Sequence, residues 1–304
     1  METFSRFIQS DFFYKFRRSP VAIIAFAVVV TLIGGAVFAP FITSQNPFDP
    51  GSLNLMNGFS SPMTPNQFTG DTFLLGTDDQ GRDVFATILY GMRISLFVGF
   101  AAVAFALVLG MTLGLLAGYV GGRTDTIIMR IADIQLTFPA ILVAELIFGI
   151  AKGITPPDKR DEIAIWVLII AIGLSDWVQF ARVVRGATLV EKSKEYVQAA
   201  RLIGRSPIAI MAKHILPNTL SPVLVIATIS LALAIIAEAT LSFLGVGAPP
   251  TQPSLGTLIR IGQGFLFSGE WWILLFPAAT LLLLALAVNL LGDWLRDALN
   301  PRLK

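Results

Sequence analysis

The 304-residue sequence has no cysteine and a single histidine, His214. The first absence excludes disulfides, thiolate metal sites and thiol nucleophiles, and the second excludes multi-histidine metal centres. Charge is also scarce, at 14% Asp, Glu, Lys and Arg where a soluble domain carries about 25%. The chain contains no G-x-x-x-x-G-K-[ST] phosphate loop, no H-E-x-x-H, no G-x-S-x-G and no G-x-G-x-x-G after a strand. Self-contained ATP hydrolysis and the common hydrolase mechanisms therefore lack their residues, and the chain reads as a non-enzyme that needs neither cofactor nor metal. The acids Asp78, Asp79 and Asp83 lack the alternating spacing of a calcium loop and read as helix caps, Asp78 or Asp79 capping an amphipathic helix that feeds a span. With 22 basic against 20 acidic residues, net charge gives no argument for nucleic acid.

What the chain has is apolar bulk: 55% of its residues are hydrophobic and 26 more are glycine. A bilayer needs about 20 consecutive apolar residues per spanning helix. Six stretches qualify, Val21 to Ile42, Ile94 to Val120, Ile127 to Ala151, Ile163 to Ala181, Thr219 to Leu244 and Trp271 to Gly292. The expected fold is an all-α integral membrane protein with six transmembrane helices. The first stretch is too long for a signal peptide's apolar region and no A-x-A site follows it, so it reads as an uncleaved anchor. Of the Lys and Arg residues, 16 fall in the terminal and alternate segments and 6 in Thr43 to Arg93, Lys152 to Glu162 and Gly245 to Glu270. The positive-inside rule then places both termini and the Arg182 to Asn218 segment in the cytoplasm. Trp166, Trp177, Trp271, Trp272 and Trp294 all lie near predicted span ends, where amphipathic rings prefer the headgroup region.

Charges inside spans are costly unless paired or hydrated. Arg130 and Asp133, three apart, read as a local ion pair, and Asp176 as a partner of Arg182 or of a neighbouring helix. Glu145 and Glu238 lie in the outer halves of their spans with no base nearby in sequence. Each either lines a water-filled translocation path or hydrogen-bonds between helices. Gly110, Gly114 and Gly118 repeat every fourth residue, the small-residue device for close helix approach in membranes. Pro139 and Pro277 are expected to kink their helices.

The segment from Arg182 to Asn218 is the most informative. Ser193 to Ile203 holds good helix formers, Gly204 suits a left-handed cap, Ser206 can cap a second helix with Pro207 in its first turn, and Pro217 would stop it. Two helices too short to span, carrying mixed basic and apolar side chains, suit a membrane surface or a partner's groove. Lys192 is expected on a solvated face.

Here the residues resemble the signature of binding-protein-dependent ABC importer permeases, E-A-A, three residues, Gly, nine residues, then I-x-L-P. The stretch runs Gln198-Ala-Ala200, Gly204, then His214-Ile-Leu-Pro217, with Gln198 in place of the acid and His214 in place of the first Ile. Three further stretches are similar to the C-type subunit of the dipeptide, oligopeptide and nickel branch. They are Gly76-Thr-Asp-Asp-Gln-Gly-Arg-Asp83 with Gly91-Met-Arg-Ile-Ser-Leu96, Leu241-Ser-Phe-Leu-Gly-Val-Gly-Ala-Pro-Pro250, and Gly292-Asp-Trp-Leu-Arg-Asp-Ala-Leu-Asn-Pro-Arg302. The resemblance implies a methionine-permease-like, type I ABC importer transmembrane domain in a bacterial inner membrane. Residues 1–93 would form the cytosolic N-terminus, anchor and external loop, and 94–304 a five-helix transporter core with coupling helices at about 193–216. It further implies a homologous permease subunit, two cytosolic ATPases, an external solute-binding protein and surrounding lipid as partners. ATPase coupling would fall to Tyr196, Gln198, Ala199, Ala200, Gly204, His214 and Pro217, with Ala199 and Ala200 leaving room for the ATPase. Glu145 and Glu238 are the candidates for the path. The expected cargo is a dipeptide or short peptide. The alternatives are nickel, opines, oligosaccharides or antimicrobial peptides on the same chassis, and a self-contained proton-coupled secondary carrier.

Overall fold

The computed structural model describes residues 11–299, which are helical with no strand among them beyond two isolated bridges. The end of the last motif, Asn300 to Arg302, lies outside the described residues. Five helices are long and apolar enough to cross a membrane, and a bent pair supplies a sixth crossing if counted as one.

Helix α1, Pro20–Val37, starts at Ser19, whose hydroxyl accepts the Ala22 N–H at 3.3 Å, and Pro20 sits in the first turn where its missing donor costs nothing. Residues 43–83 follow as turns and short 3-10 pieces, pinned from within by charge. Arg82 Nε meets Asp78 Oδ2 at 2.5 Å with side-chain exposures of 5% and 6%, and Asp78 also accepts the Gln80 and Arg82 N–H groups. Burial pushes the Asp78 carboxyl above the usual carboxylate range while Arg82 pulls it back, and burial raises Asp83 too. The segment is tied down by Trp272 Nε1, which donates to Thr77 O at 3.0 Å. Gly76, at φ +78, makes that fit possible, since a Cβ there would stand 2.6 Å from Ser60 O and 2.8 Å from the Trp272 ring nitrogen.

Helix α2, Val84–Val120, is capped by Asp83 rather than by Asp78 or Asp79, because Asp78 is already committed to Arg82. No separate amphipathic helix precedes the second span. One 37-residue helix passes through positions 93 and 94 unbroken, and at 1.5 Å per residue its length of about 55 Å exceeds a hydrocarbon core of about 30 Å.

The expected third span, Ile127 to Ala151, is not one helix. It divides into α3, Gly122–Leu136, and α4, Ala140–Ile154, bent by 94°. Pro139 has no N–H to offer the preceding turn and biases Phe138 away from helical geometry, so the kink becomes a break. Helix α5, Arg160–Glu191, is correspondingly longer than the expected Ile163 to Ala181 and carries Arg182 and Arg185 on helix rather than loop. These arginines choose the acids of α3: Arg182 pairs with Asp133 at 2.6 Å and Arg185 with Asp125 through two bonds of 2.5 and 2.7 Å. Asp133 therefore pairs across helices and not with Arg130, which is exposed. Asp176 does not pair with Arg182 and instead lines a small cavity with Ala140, Ala144 and Leu241.

The Gly110, Gly114 and Gly118 stripe of α2 lies on α5. A Cβ at Gly114 would approach Ala181 O to 2.5 Å, and at Gly118 it would approach Thr188 Cβ to 2.7 Å. Only hydrogen at these positions lets the two backbones meet. Helix α6, Glu195–Leu202, is followed by α7, Pro207–Phe243, then by the short α8, Leu255–Gln263, and by α9, Trp272–Leu299, which contains Pro277. One buried cluster joins α1, α2, α8 and α9 through Ala25, Met92, Leu255 and Leu284, and a second joins α2, α4, α5 and α7 through Val98, Ala144, Phe180 and Ala234.

Candidate functional site

Helix α6 and the start of α7 project from one end of the bundle, joined by Gly204. The junction is closed by two backbone bonds, Arg205 N–H to Ala200 O at 3.1 Å and Gly204 N–H to Arg201 O at 3.0 Å. Gly204 adopts φ +80, and this pattern is the Schellman ending of a helix. Ser206 then caps α7 by accepting the Ala209 N–H at 3.3 Å, with Pro207 in the first turn.

A polar brace holds the turn to the long helices. Glu191, at the end of α5, accepts from Lys194 Nζ at 2.6 Å and, through a short hydrogen bond, from the Tyr196 hydroxyl. That hydroxyl also accepts from Asn218 Nδ2 at 2.9 Å, and Asn218 donates to His214 O at 2.8 Å. Burial and the Glu191 carboxylate both raise the Tyr196 phenol above its usual range. His214 thus contributes its backbone carbonyl, with its ring tilted toward that of Tyr196. Gln198 Nε2 donates to Ser193 O at 3.0 Å, a local bond that needs no carboxylate. Lys192 is half-buried rather than free on a solvated face. Its Nζ donates to Gly118 O at 2.7 Å and so closes the last turn of α2.

The turn has an inner and an outer side. Val197, Ala200, Ile210 and Ile215 form a small buried core with Leu115 and Tyr119, and Arg201 lies 4.9 Å over the Tyr119 ring. Ala200, at 7% exposure, is small because it packs inward, which corrects the expectation that it leaves room for a partner. Ala199 is exposed. The outer side carries Leu202 at 90%, Ile203 at 79% and Ile208 at 75% exposure, flanking Gly204. Three apolar side chains so bare on a polar turn form the kind of patch that a protein partner covers. Leu202 and Glu191 escape notice in the sequence, although a leucine beside a glycine turn and an acid five residues before Tyr196 are the traces they leave.

Pro217 does not stop the second helix. Residues 211–215 widen into a π turn in which Leu216 N–H bonds to Met211 O, and the helix continues to Phe243. The wider turn absorbs the donor that Pro217 lacks, and π turns are frequent at functional positions. Turn and span therefore form one continuous helical element.

The two candidate path residues sit apart. Glu145, half-buried on α4, borders an open groove with Leu142, Leu146 and Gly149. Glu238 is fully enclosed within the subunit, where Oε1 accepts from Ser242 at 2.7 Å beside Ser95 and Ser254. Ser254 caps α8, and the Leu255 N–H donates to Ser95 Oγ at 3.2 Å, so Glu238 lies where α2, α7 and α8 are fastened together.

Solved structures share this architecture. A MetNI methionine ABC transporter in inward-facing conformations superimposes with a TM-score of 0.55 at 22% identity, covering 70% of this chain and 96% of that one. An amino acid ABC transporter with histidines gives 0.51 at 16%, covering 69% and 93%. Sequence relatives are nearer. The dipeptide transport system permease protein DppC of Haemophilus influenzae is 38% identical, over 96% of this chain and 94% of its own length. The oligopeptide permease OppC of Bacillus subtilis is 36% identical, over 97% and 90%. A putative peptide transport system permease protein of Brucella suis is 39% identical, over 92% and 88%. Residues 9–62 match the N-terminal transmembrane domain of oligopeptide transport permease C. Residues 110–304, which contain the turn, its brace and the helices they continue into, match the remaining family model, and the chain belongs to the binding-protein-dependent transport system inner membrane components.

Proposed function

We propose that the chain is one of two homologous permease subunits forming the membrane channel of an ATP-driven importer of dipeptides or short peptides. The observation that carries this reading is the exposed Leu202, Ile203 and Ile208 patch, held on a Schellman turn and continuous through a π turn with a membrane-spanning helix. A cytosolic ATPase closing on that patch moves α7 as a rod. The chain itself carries no covalent chemistry, and ATP is hydrolysed by two separate ATPases docked on the turn. Tyr196, Gln198, Ala199, Gly204, His214 and Pro217 shape that docking element, while Ala200 supports it from inside.

The skew of Lys and Arg supports cytosolic termini and a cytosolic turn, with 43–83 and α8 external, where a solute-binding protein delivers the cargo. Relatives named for dipeptides and oligopeptides favour peptides over nickel, opines, oligosaccharides or antimicrobial peptides. Glu145, on the open groove of α4, is the better placed of the two acids to face a path shared with the sister subunit. Co-expression with a sister permease and ATPases, followed by reconstitution, provides the test. ATP-dependent, binding-protein-dependent peptide uptake is expected, and proton-driven uptake by the lone chain would refute the proposal in favour of a secondary carrier.

A further inference from the structure

At the end of the bundle opposite the turn, a half-open cavity of about 110 Å³ is lined by residues of α4, the start of α5, the loop after α7, and α8. Three cations from three helices line it: Lys152 in the last turn of α4, Arg160 in the first turn of α5, and Arg260 of α8. One acid, Asp161, shares the wall and accepts from Thr251 Oγ1 at 3.2 Å. None of the three cations forms a salt bridge among the described residues. Arg160 Nε is occupied by Thr155 O at 3.2 Å, whereas Arg260 Nε is buried and reaches no hydrogen-bond partner among the described residues. The Arg260 guanidinium is held across Gly245, where a Cβ would stand 3.1 Å from Nη1. Converging positive charge around a cavity that fits a carboxylate and a few attached atoms calls for an anion, and arginine is suited to a carboxylate through its fork of donors.

Glu145 stands seven residues before Lys152 on α4 and therefore on the same face, about 10 Å along the helix. It too forms no salt bridge among the described residues. An extended tripeptide spans about 10 Å. We propose that this cavity takes the C-terminal carboxylate of the transported peptide, with Glu145 two turns away meeting its ammonium end. The proposal rests on the peptide-importer reading above and names the chemical feature of the cargo that the permease itself recognises.

The test uses the full chain in lipid nanodiscs with triglycine, triglycine amide and acetate as probes. Triglycine is expected to bind at least tenfold more tightly than its amide. Arg260→Gln should weaken triglycine binding roughly ten- to a hundredfold and leave the amide unaffected. Arg260→Lys should keep part of the preference, and thermal unfolding of both variants checks that the site is lost rather than the fold. Equal binding of triglycine and its amide, or wild-type affinity for triglycine in Arg260→Gln, overturns the proposal. Acetate binding without any preference for the free peptide overturns it in favour of an acidic side chain of an external partner. Uptake by the assembled importer separates two failures. ATP-driven peptide uptake with the same free-over-amide ratio in wild type and Arg260→Gln sinks the cavity assignment alone, whereas absence of ATP-driven uptake sinks the functional reading beneath it.

Discussion

Replacing Ile203 by Asp separates docking from folding. In the free subunit this side chain is 79% exposed and touches no core cluster, so the fold does not depend on it. Complete burial of an isoleucine is worth about 1.5–3 kcal/mol, and roughly 2 kcal/mol of that is still available when an ATPase covers it. An aspartate forfeits this gain and brings a carboxylate to desolvate, so ATPase affinity should fall at least about 30-fold. Ala200→Trp provides the contrast. At 7% exposure it would force an indole among Val197, Ile210, Ile215 and Tyr119, where overpacking costs about 1–3 kcal/mol. The assay pairs ATPase co-purification with thermal unfolding of the lone chain. Ile203→Asp should lose the ATPase with an unchanged unfolding temperature, and Ala200→Trp should lower that temperature. Normal co-purification of Ile203→Asp, or an equal loss of stability in both variants, would refute the assignment of inner and outer sides.

Gly114→Val should destabilise the bundle by about 3 kcal/mol or more, because even its Cβ would stand 2.5 Å from Ala181 O, while Gly149→Val, with nothing within 4 Å, should cost little, as tryptophan-monitored unfolding would show. Removing Arg82 strands a buried carboxylate whose folded-state pKa already lies above the ordinary value, so in Arg82→Gln the native state binds the Asp78 proton more tightly than the unfolded chain does. That variant should gain stability as pH falls towards the ordinary carboxylate range, by up to about 1.4 kcal/mol per unit, whereas Asp78→Asn, which keeps only the raised Asp83, should gain less; a flat profile for Arg82→Gln would contradict the buried pair. Since the chain has no cysteine, Met56→Cys and Leu202→Cys, both highly exposed, report orientation, and an impermeant thiol reagent on intact cells should label only the first. Asn57, at 5% exposure, is too buried for that purpose.

The sequence by itself determined the solvent and the class. Apolar runs long enough to cross a bilayer, few charges and no cysteine leave little besides a helical membrane protein, because in hydrocarbon every backbone group must be satisfied within its own segment. Local backbone chemistry was legible too: Gly204 as a left-handed cap, Ser206 before Pro207, and the glycine stripe of α2 all follow from rules that act over a few residues. Tertiary structure decided whatever depends on a partner distant in sequence. Asp133 takes Arg182 across helices instead of the neighbouring Arg130, Asp78 is spent on Arg82 so that Asp83 caps α2, and Lys192 reaches Gly118 O. Proline illustrates the division: Pro139 breaks its span by 94°, yet Pro217 is carried through by a π turn. The missing donor is the same in both, and the surrounding packing sets whether the chain bends or widens. The inward face of Ala200 and the bare Leu202 likewise depend on which side of α6 lies against Tyr119, a contact between residues some 80 positions apart that no local pattern in the sequence encodes.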